Sequence, residues 1–117
     1  MEQWVLEKEG ILPGKVLTIY NGVDRIRFDP DRIQSPVRQE FRIPSETLLI
    51  GTVANMATEK GYPYLLEAAR LILEKLPAAR FLFVGFGPLE REIKEQAGKI
   101  AGDGQIVFTG ARTDIPE

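Results

Sequence analysis

Leu48 to Leu76, LLIGTVANMATEKGYPYLLEAARLILEKL, is the stretch from which the fold follows. Leu48, Leu49, Ile50, Val53 and Ala54 form a nearly continuous apolar run, the pattern of a strand covered on both faces. Thr58 before Glu59, Lys60 and Gly61 marks a helix start, with Pro63 suited to the first turn. Apolar residues then fall at Leu65, Ala68, Ala69, Ile72, Leu73 and Leu76, the stripe of a helix lying on a sheet. A strand feeding such a helix is half of a βαβ unit. Ligands usually bind at the loop that follows the strand's carboxyl end. Here that loop is residues 54–61, and its one cation is Lys60.

Outward from this unit, the pattern repeats on the C-terminal side. Residues 80–85 (RFLFVG) read as a second buried strand, and Gly85-Phe86-Gly87-Pro88 turns the chain. Residues 88–100 follow as a helix with Leu89, Ile93, Ala97 and Ile100 on one face. Glu90–Lys94 and Glu95–Lys99 have the i, i+4 spacing of surface ion pairs. Residues 106–109 (IVFT) make a third strand. On the N-terminal side, residues 16–20 (VLTIY) have the β-branched and aromatic content of a strand, ended by Asn21-Gly22. Residues 1–10 resemble the end of a helix, with Gly10 as its C′ residue. Residues 23–45 carry Pro30, Pro36 and Pro44 without sustained periodicity and read as a surface linker, pinned by Phe28 and Phe41. The order is β, linker, β-α-β-α-β. Right-handed crossovers make the last three strands parallel with helices on one face, half of a doubly wound, Rossmann-like α/β sheet.

Composition narrows the function. The 117 residues suit one small domain, and an apolar fraction of 44% is ordinary for a globular chain. Fifteen Lys and Arg against 17 Asp and Glu leave a net charge of -2, which gives no electrostatic case for nucleic acid. The chain has no Cys, so disulfide and thiolate chemistry are excluded. It has no His, so neither a Ser-His-Asp triad nor a His-ligated zinc site arises from these residues alone. No cofactor, metal ligand or catalytic residue is assigned. The expected compartment is the cytoplasm.

Three strand-end features invite a ligand. A cation at a helix start does not suit the helix dipole, so Lys60 makes sense if an anion lies between it and the helix amides. A solvated loop lysine is the plainer alternative. Gly85-x-Gly87 begins like a dinucleotide fingerprint, but Glu90 holds its last glycine position, so a Rossmann dehydrogenase is not expected. Gly85 serves either a tight turn or the close approach of a ligand. Arg112 and Thr113, after the third strand, either reach the same crevice or belong to a plain exposed loop.

Taken in order, the segments resemble the group 1 glycosyltransferases. The likeness lies in Tyr20-Asn21-Gly22-Val23-Asp24 with Phe28 and Pro30, Ile50-Gly51-Thr52-Val53-Ala54-Asn55-Met56, and Glu59-Lys60-Gly61. It continues through Leu65-Leu66-Glu67-Ala68, Phe83-Val84-Gly85-Phe86-Gly87-Pro88 and Val107-Phe108-Thr109-Gly110. The resemblance implies a retaining enzyme of GT-B fold that uses a nucleotide sugar. It implies that residues 1–24 end the acceptor-domain region, 25–46 link, and 47–117 are the first half of the donor-binding domain. In that family an Arg and a Lys hold the donor diphosphate. Lys60 matches the lysine, while Asn55 stands at the arginine position and offers hydrogen bonds without charge. Gly85 matches a close-approach glycine, and Arg112 and Thr113 fall in the loop that meets nucleobase and ribose.

The resemblance also implies what is elsewhere: the acceptor domain, and the downstream half of the donor domain with its paired glutamates. The expected partners are a nucleotide-sugar donor, the remainder of the enzyme and a second copy of the chain as a homodimer. Transfer by this slice alone is not expected. The alternatives are a standalone nucleotide-binding or oligomerisation module without catalysis, or part of a nucleotide-sugar epimerase or glycogen synthase on the same scaffold.

Overall fold

A computed structural model describes residues 8, 10–12 and 15–116, which divide into two units, residues 1–31 and 32–117. In the first, residues 16–20 form no strand, and Leu17, Ile19 and Tyr20 are exposed. The expected VLTIY strand is therefore corrected to irregular chain. β propensity alone does not make a strand, because its backbone groups need a neighbouring ladder. Asp24 instead organises a turn, its Oδ1 accepting from the amides of Ile26 and Arg27, both at 3.0 Å. Gly10 has the left-handed φ of 63° expected of a helix-ending glycine. The helix assigned to residues 1–10 lies almost wholly outside the described residues.

The second unit carries the order α1 (Val37–Glu40), β1 (Leu49–Val53), a 3-10 turn (Thr58–Lys60), α2 (Tyr62–Lys75), β2 (Arg80–Val84), α3 (Glu90–Ile100) and β3 (Ile106–Gly110). The three strands are parallel in the order β1-β2-β3, as the βαβ reading requires. The linker assigned to residues 25–46 straddles the division between units. Its second part holds α1 and the buried Ile43.

The core lies between the sheet and the two long helices. α2 buries Tyr62, Leu66, Ala69 and Leu73, and α3 buries Ile93 and Ala97, each set along one stripe. Phe81 and Phe83 project from β2 into the same cluster, joined by Ile50 from β1 and Ile106 and Phe108 from β3. Phe83 is fully buried and meets Tyr62, Phe81 and Phe108 edge to face, with ring centroids 5.9, 6.3 and 5.4 Å away. Burial of one such ring contributes about 1.5–3 kcal/mol. On the wet face of α2, Arg70 pairs with Glu67 and Glu74. On α3, Lys94 meets Glu90 at 2.6 Å as the spacing predicts, whereas Glu95 is met by Arg91 at 3.7 Å rather than by Lys99.

Two expectations are corrected here. β1 is not covered on both faces: Gly51 and Val53 are exposed, Val53 by 60%. Both long helices pack against the face that holds Ile50, and alternation sends Gly51 and Val53 to the other. Nor does the helix start at Thr58. Residues 58–60 make a single 3-10 turn, and Gly61, at φ 66° and ψ 30°, breaks it from α2. Pro63 does fall in the first turn of α2.

Candidate functional site: the crevice at the carboxyl ends of the strands

β1, β2 and β3 end side by side, and their following loops form one wall system. Pairing outlasts the strands. Ala54 donates to the Val84 carbonyl at 3.0 Å, Met56 to Phe86 at 2.9 Å, and Leu89 to Met56 at 3.0 Å. The two glycines of this turn make that approach possible. A Cβ on Gly85 would lie 2.1 Å from the Ala54 oxygen, and one on Gly87 2.5 Å from the Met56 oxygen. Gly85 also has φ 134°, and its amide donates to the Gly110 carbonyl at 2.8 Å. Its requirement here is the close passage of a neighbouring backbone. Between Phe83↔Phe108 and Val84↔Gly110 the register of β3 slips by a residue, a bulge that carries the chain into the 111–116 loop.

Tyr62 is the residue that the sequence reading missed at this site. Its side chain is buried at the start of α2, and its hydroxyl donates to the Ala54 carbonyl at 3.2 Å. Burial raises its pKa, so the phenol stays neutral and keeps the proton it donates. The loop after β1 is thus tied to the helix behind it, and Met56, fully buried, plugs the loop into the core. An aromatic residue just after the Gly61 break was the available signal.

The crevice has a volume of about 240 Å³ and is lined by Val53, Asn55, Val84, Phe86, Arg112 and Ile115, among others. That falls under the ~300 Å³ of ordinary ligand clefts, enough for part of a ligand. Of the residues assigned from sequence, the structure brings together Asn55, Gly85 and Arg112. Lys60 does not line the crevice. It is exposed in the 3-10 turn five residues on from Asn55, its amide bonded to the Ala57 carbonyl at 3.1 Å. Thr113 is exposed on the loop and is not among the lining residues.

Arg112 is bound on the wall by protein groups. Its Nε donates to Asp114 Oδ1 at 2.8 Å, its Nη2 to Asp114 Oδ2, and its Nη1 to Glu40 Oε1 at 2.7 Å. Its guanidinium carbon also stands 5.8 Å from the centroid of the Phe41 ring. The hydrogen bonds that Arg112 donates to Asp114 and then to Glu40 raise its pKa, and the same bond holds the Asp114 carboxyl below its usual range. Among the described residues there is no group of three or more acidic, His or Cys side chains placed to hold a metal ion.

A parallel sheet with its helices on one face and a crevice beyond the strand ends defines the class: half of a doubly wound α/β sheet. A profile of the glycosyl transferases group 1 matches residues 47–117, and the chain belongs to that family. It is 30% identical to EpsD of Bacillus subtilis over 98 residues, 82% of this chain and 26% of that protein. The crystal structure of a glycosyltransferase from Rickettsia africae superposes with a TM-score of 0.79 at 24% identity, over 97% of this chain and 32% of the other. The C-terminal domain of a group 1 glycosyl transferase, LpcC, from Francisella tularensis gives 0.65 at 28% identity, over 81% of this chain and 52% of that one. The fold is the α/β arrangement of the GT-B glycosyltransferases. The chain spans about a quarter of the length of its Bacillus relative. Among the described residues no helix is long and apolar enough to cross a membrane.

Proposed function

We propose that this chain supplies the part of a donor domain that receives the nucleoside diphosphate of a nucleotide sugar, whose sugar the complete enzyme transfers to an acceptor. The observation that supports this most is the convergence of all three post-strand loops on one crevice, in a chain of this family. In this reading Asn55 and Lys60 hold the diphosphate, while Gly85 and Arg112 in the crevice wall, with Thr113 on the adjoining loop, face the nucleoside. Residues 1–24 and 25–46 are the approach from the acceptor domain and the link. A cytoplasmic location suits a donor of this kind.

Catalysis by two-domain enzymes depends on closure around both substrates, so transfer by the chain alone is not expected. Binding is expected to be weak, about millimolar. NMR titration with UDP, GDP and inorganic pyrophosphate tests the reading. Shifts should centre on residues 51–61 and 85–88, extending to residues 111–113 with UDP or GDP, and Lys60→Ala should weaken the response. Shifts centred elsewhere, or an unchanged response in that variant, reject it.

β1 supports a second reading, assembly. It is paired on one side only among the described residues, and Leu48 and Val53 are exposed by 52% and 60%. Open apolar edges favour pairing with another strand, here that of a second copy. Sedimentation equilibrium should show a homodimer or larger species, and a clean 13.1 kDa monomer at high concentration would reject it.

A further inference from the structure

Arg112 lines the crevice, yet its three hydrogen-bonding nitrogens are directed at protein carboxylates. The cluster carries one positive charge against the two negative charges of Asp114 and Glu40. Such an arginine adds little attraction for a further anion. What it does is mechanical. Asp114 takes the planar guanidinium in two parallel bonds and so fixes it to its own loop. Glu40 and Phe41, at the end of α1, take the remaining nitrogen and one face of the group. Seventy-two residues separate Glu40 from Arg112, so this bond ties the approach to β1 onto the loop after β3. The Arg112 side chain is 17% exposed and that of Glu40 42%, so salt screens the Glu40 bond in part. Ala111 and Ile115, on either side of it, line the same wall.

We propose that Glu40 is a positioning residue of the crevice, acting through Arg112 to hold the 111–116 wall in its ligand-receiving place. The segment before β1 is then part of the binding apparatus. This rests on the crevice being a nucleoside diphosphate site and adds the residue that sets its nucleoside wall.

The test uses the full 117-residue chain, with the tighter of UDP and GDP as one probe and inorganic pyrophosphate as the other. Glu40→Ala should weaken the nucleoside diphosphate roughly fivefold and leave pyrophosphate within about twofold, the scale of a single ion pair. The double variant with Arg112→Ala should bind no more weakly than Arg112→Ala alone, because Glu40 acts through that arginine. Glu40→Gln, which keeps an acceptor oxygen, should recover part of the loss, and it serves as the variant of record if Glu40→Ala does not fold. Unchanged nucleoside affinity, additive losses, or equal weakening of both probes would each overturn the proposal, the last by showing a merely structural role. Should the unaltered chain bind neither probe, the crevice reading fails and the proposal falls with it. Should it bind both while Glu40→Ala is unchanged, only the proposal fails.

Discussion

The two cations assigned to the site, Arg112 and Lys60, differ in almost every physical respect. Arg112 is mostly buried, held by two carboxylates and an aromatic ring, and forms part of the wall. Lys60 stands exposed on a one-turn 3-10 helix, with no ion pair among the described residues. A charge already neutralised by close partners has little left for a ligand, while an unpaired one can be brought to a phosphate at small cost. The family resemblance places a charged pair at the diphosphate. In the proposed reading Lys60 is the cation offered to an anion and Asn55 adds hydrogen-bonding capacity without charge, while Arg112, bonded to Glu40 and Asp114, fastens the wall.

The harshest way to break this division is Gly85→Ala, which attacks the frame shared by both regions. The new Cβ would collide with the Ala54 carbonyl, so the loops after β1 and β2 must separate. A loss of about 1–3 kcal/mol is expected. Denaturant unfolding should register it, together with amide shifts at both residues 54–56 and residues 111–115. A change confined to one loop would show that the two regions are built independently.

Next comes the contrast between the cations themselves. Lys60→Ala should lower pyrophosphate affinity about tenfold, equivalent to ~1.4 kcal/mol, while leaving the midpoint of thermal unfolding in place. Arg112→Ala should do the reverse, lowering the unfolding temperature and changing pyrophosphate affinity by less than about twofold. Calorimetry on the two variants reads both quantities, and an equal loss of pyrophosphate affinity would erase the distinction.

Tyr62→Phe sharpens the picture at the loop between them. It removes the proton donated to the Ala54 carbonyl and should cost about 1 kcal/mol. Faster amide exchange at residues 54–57 than at residues 111–115 is the expected signature, and uniform acceleration would speak against a local tie.

Acid should produce the smallest effect. Asp114 has a depressed pKa in the folded chain, so its contribution is fully present above the ordinary aspartate value of about 3.9 and is lost as pH falls through the lower folded value. The groups facing it are Arg112, which stays charged, and Glu40 across the same guanidinium. Below that pH the 111–116 wall should loosen while residues 58–61 keep their shifts. A pH titration by NMR checks this, and simultaneous movement of both loops would count against it.

Much of this architecture was legible from residue order. The apolar run at residues 48–54, the stripes of α2 and α3 and the short strands at residues 80–85 and 106–109 follow from side-chain periodicity. Gly85 and Gly87 were legible as a special turn, although the sequence left open whether a tight turn or the approach of a ligand required them. The structure adds a reason that the sequence did not offer, the close passage of the Ala54 carbonyl, which lies thirty-one residues away in the chain. Residues 16–20 mislead for a related reason. Their β-branched and aromatic pattern states a preference, but a strand exists only where a neighbour completes its hydrogen bonds.

By itself, then, the sequence determined the succession of parallel strands and helices, the family, and the loops on which a site would fall. These depend on local stereochemistry and on the repeat of side chains along one element. Only the tertiary structure decided that Gly61 breaks the 3-10 turn from α2, that Tyr62 braces the first loop, and that Arg112 belongs to Glu40 and Asp114. Periodicity reports which side chains point the same way and says nothing of what stands opposite. The partner of a charge is chosen by distance in space, and no pattern along the chain encodes a bond between residues 40 and 112.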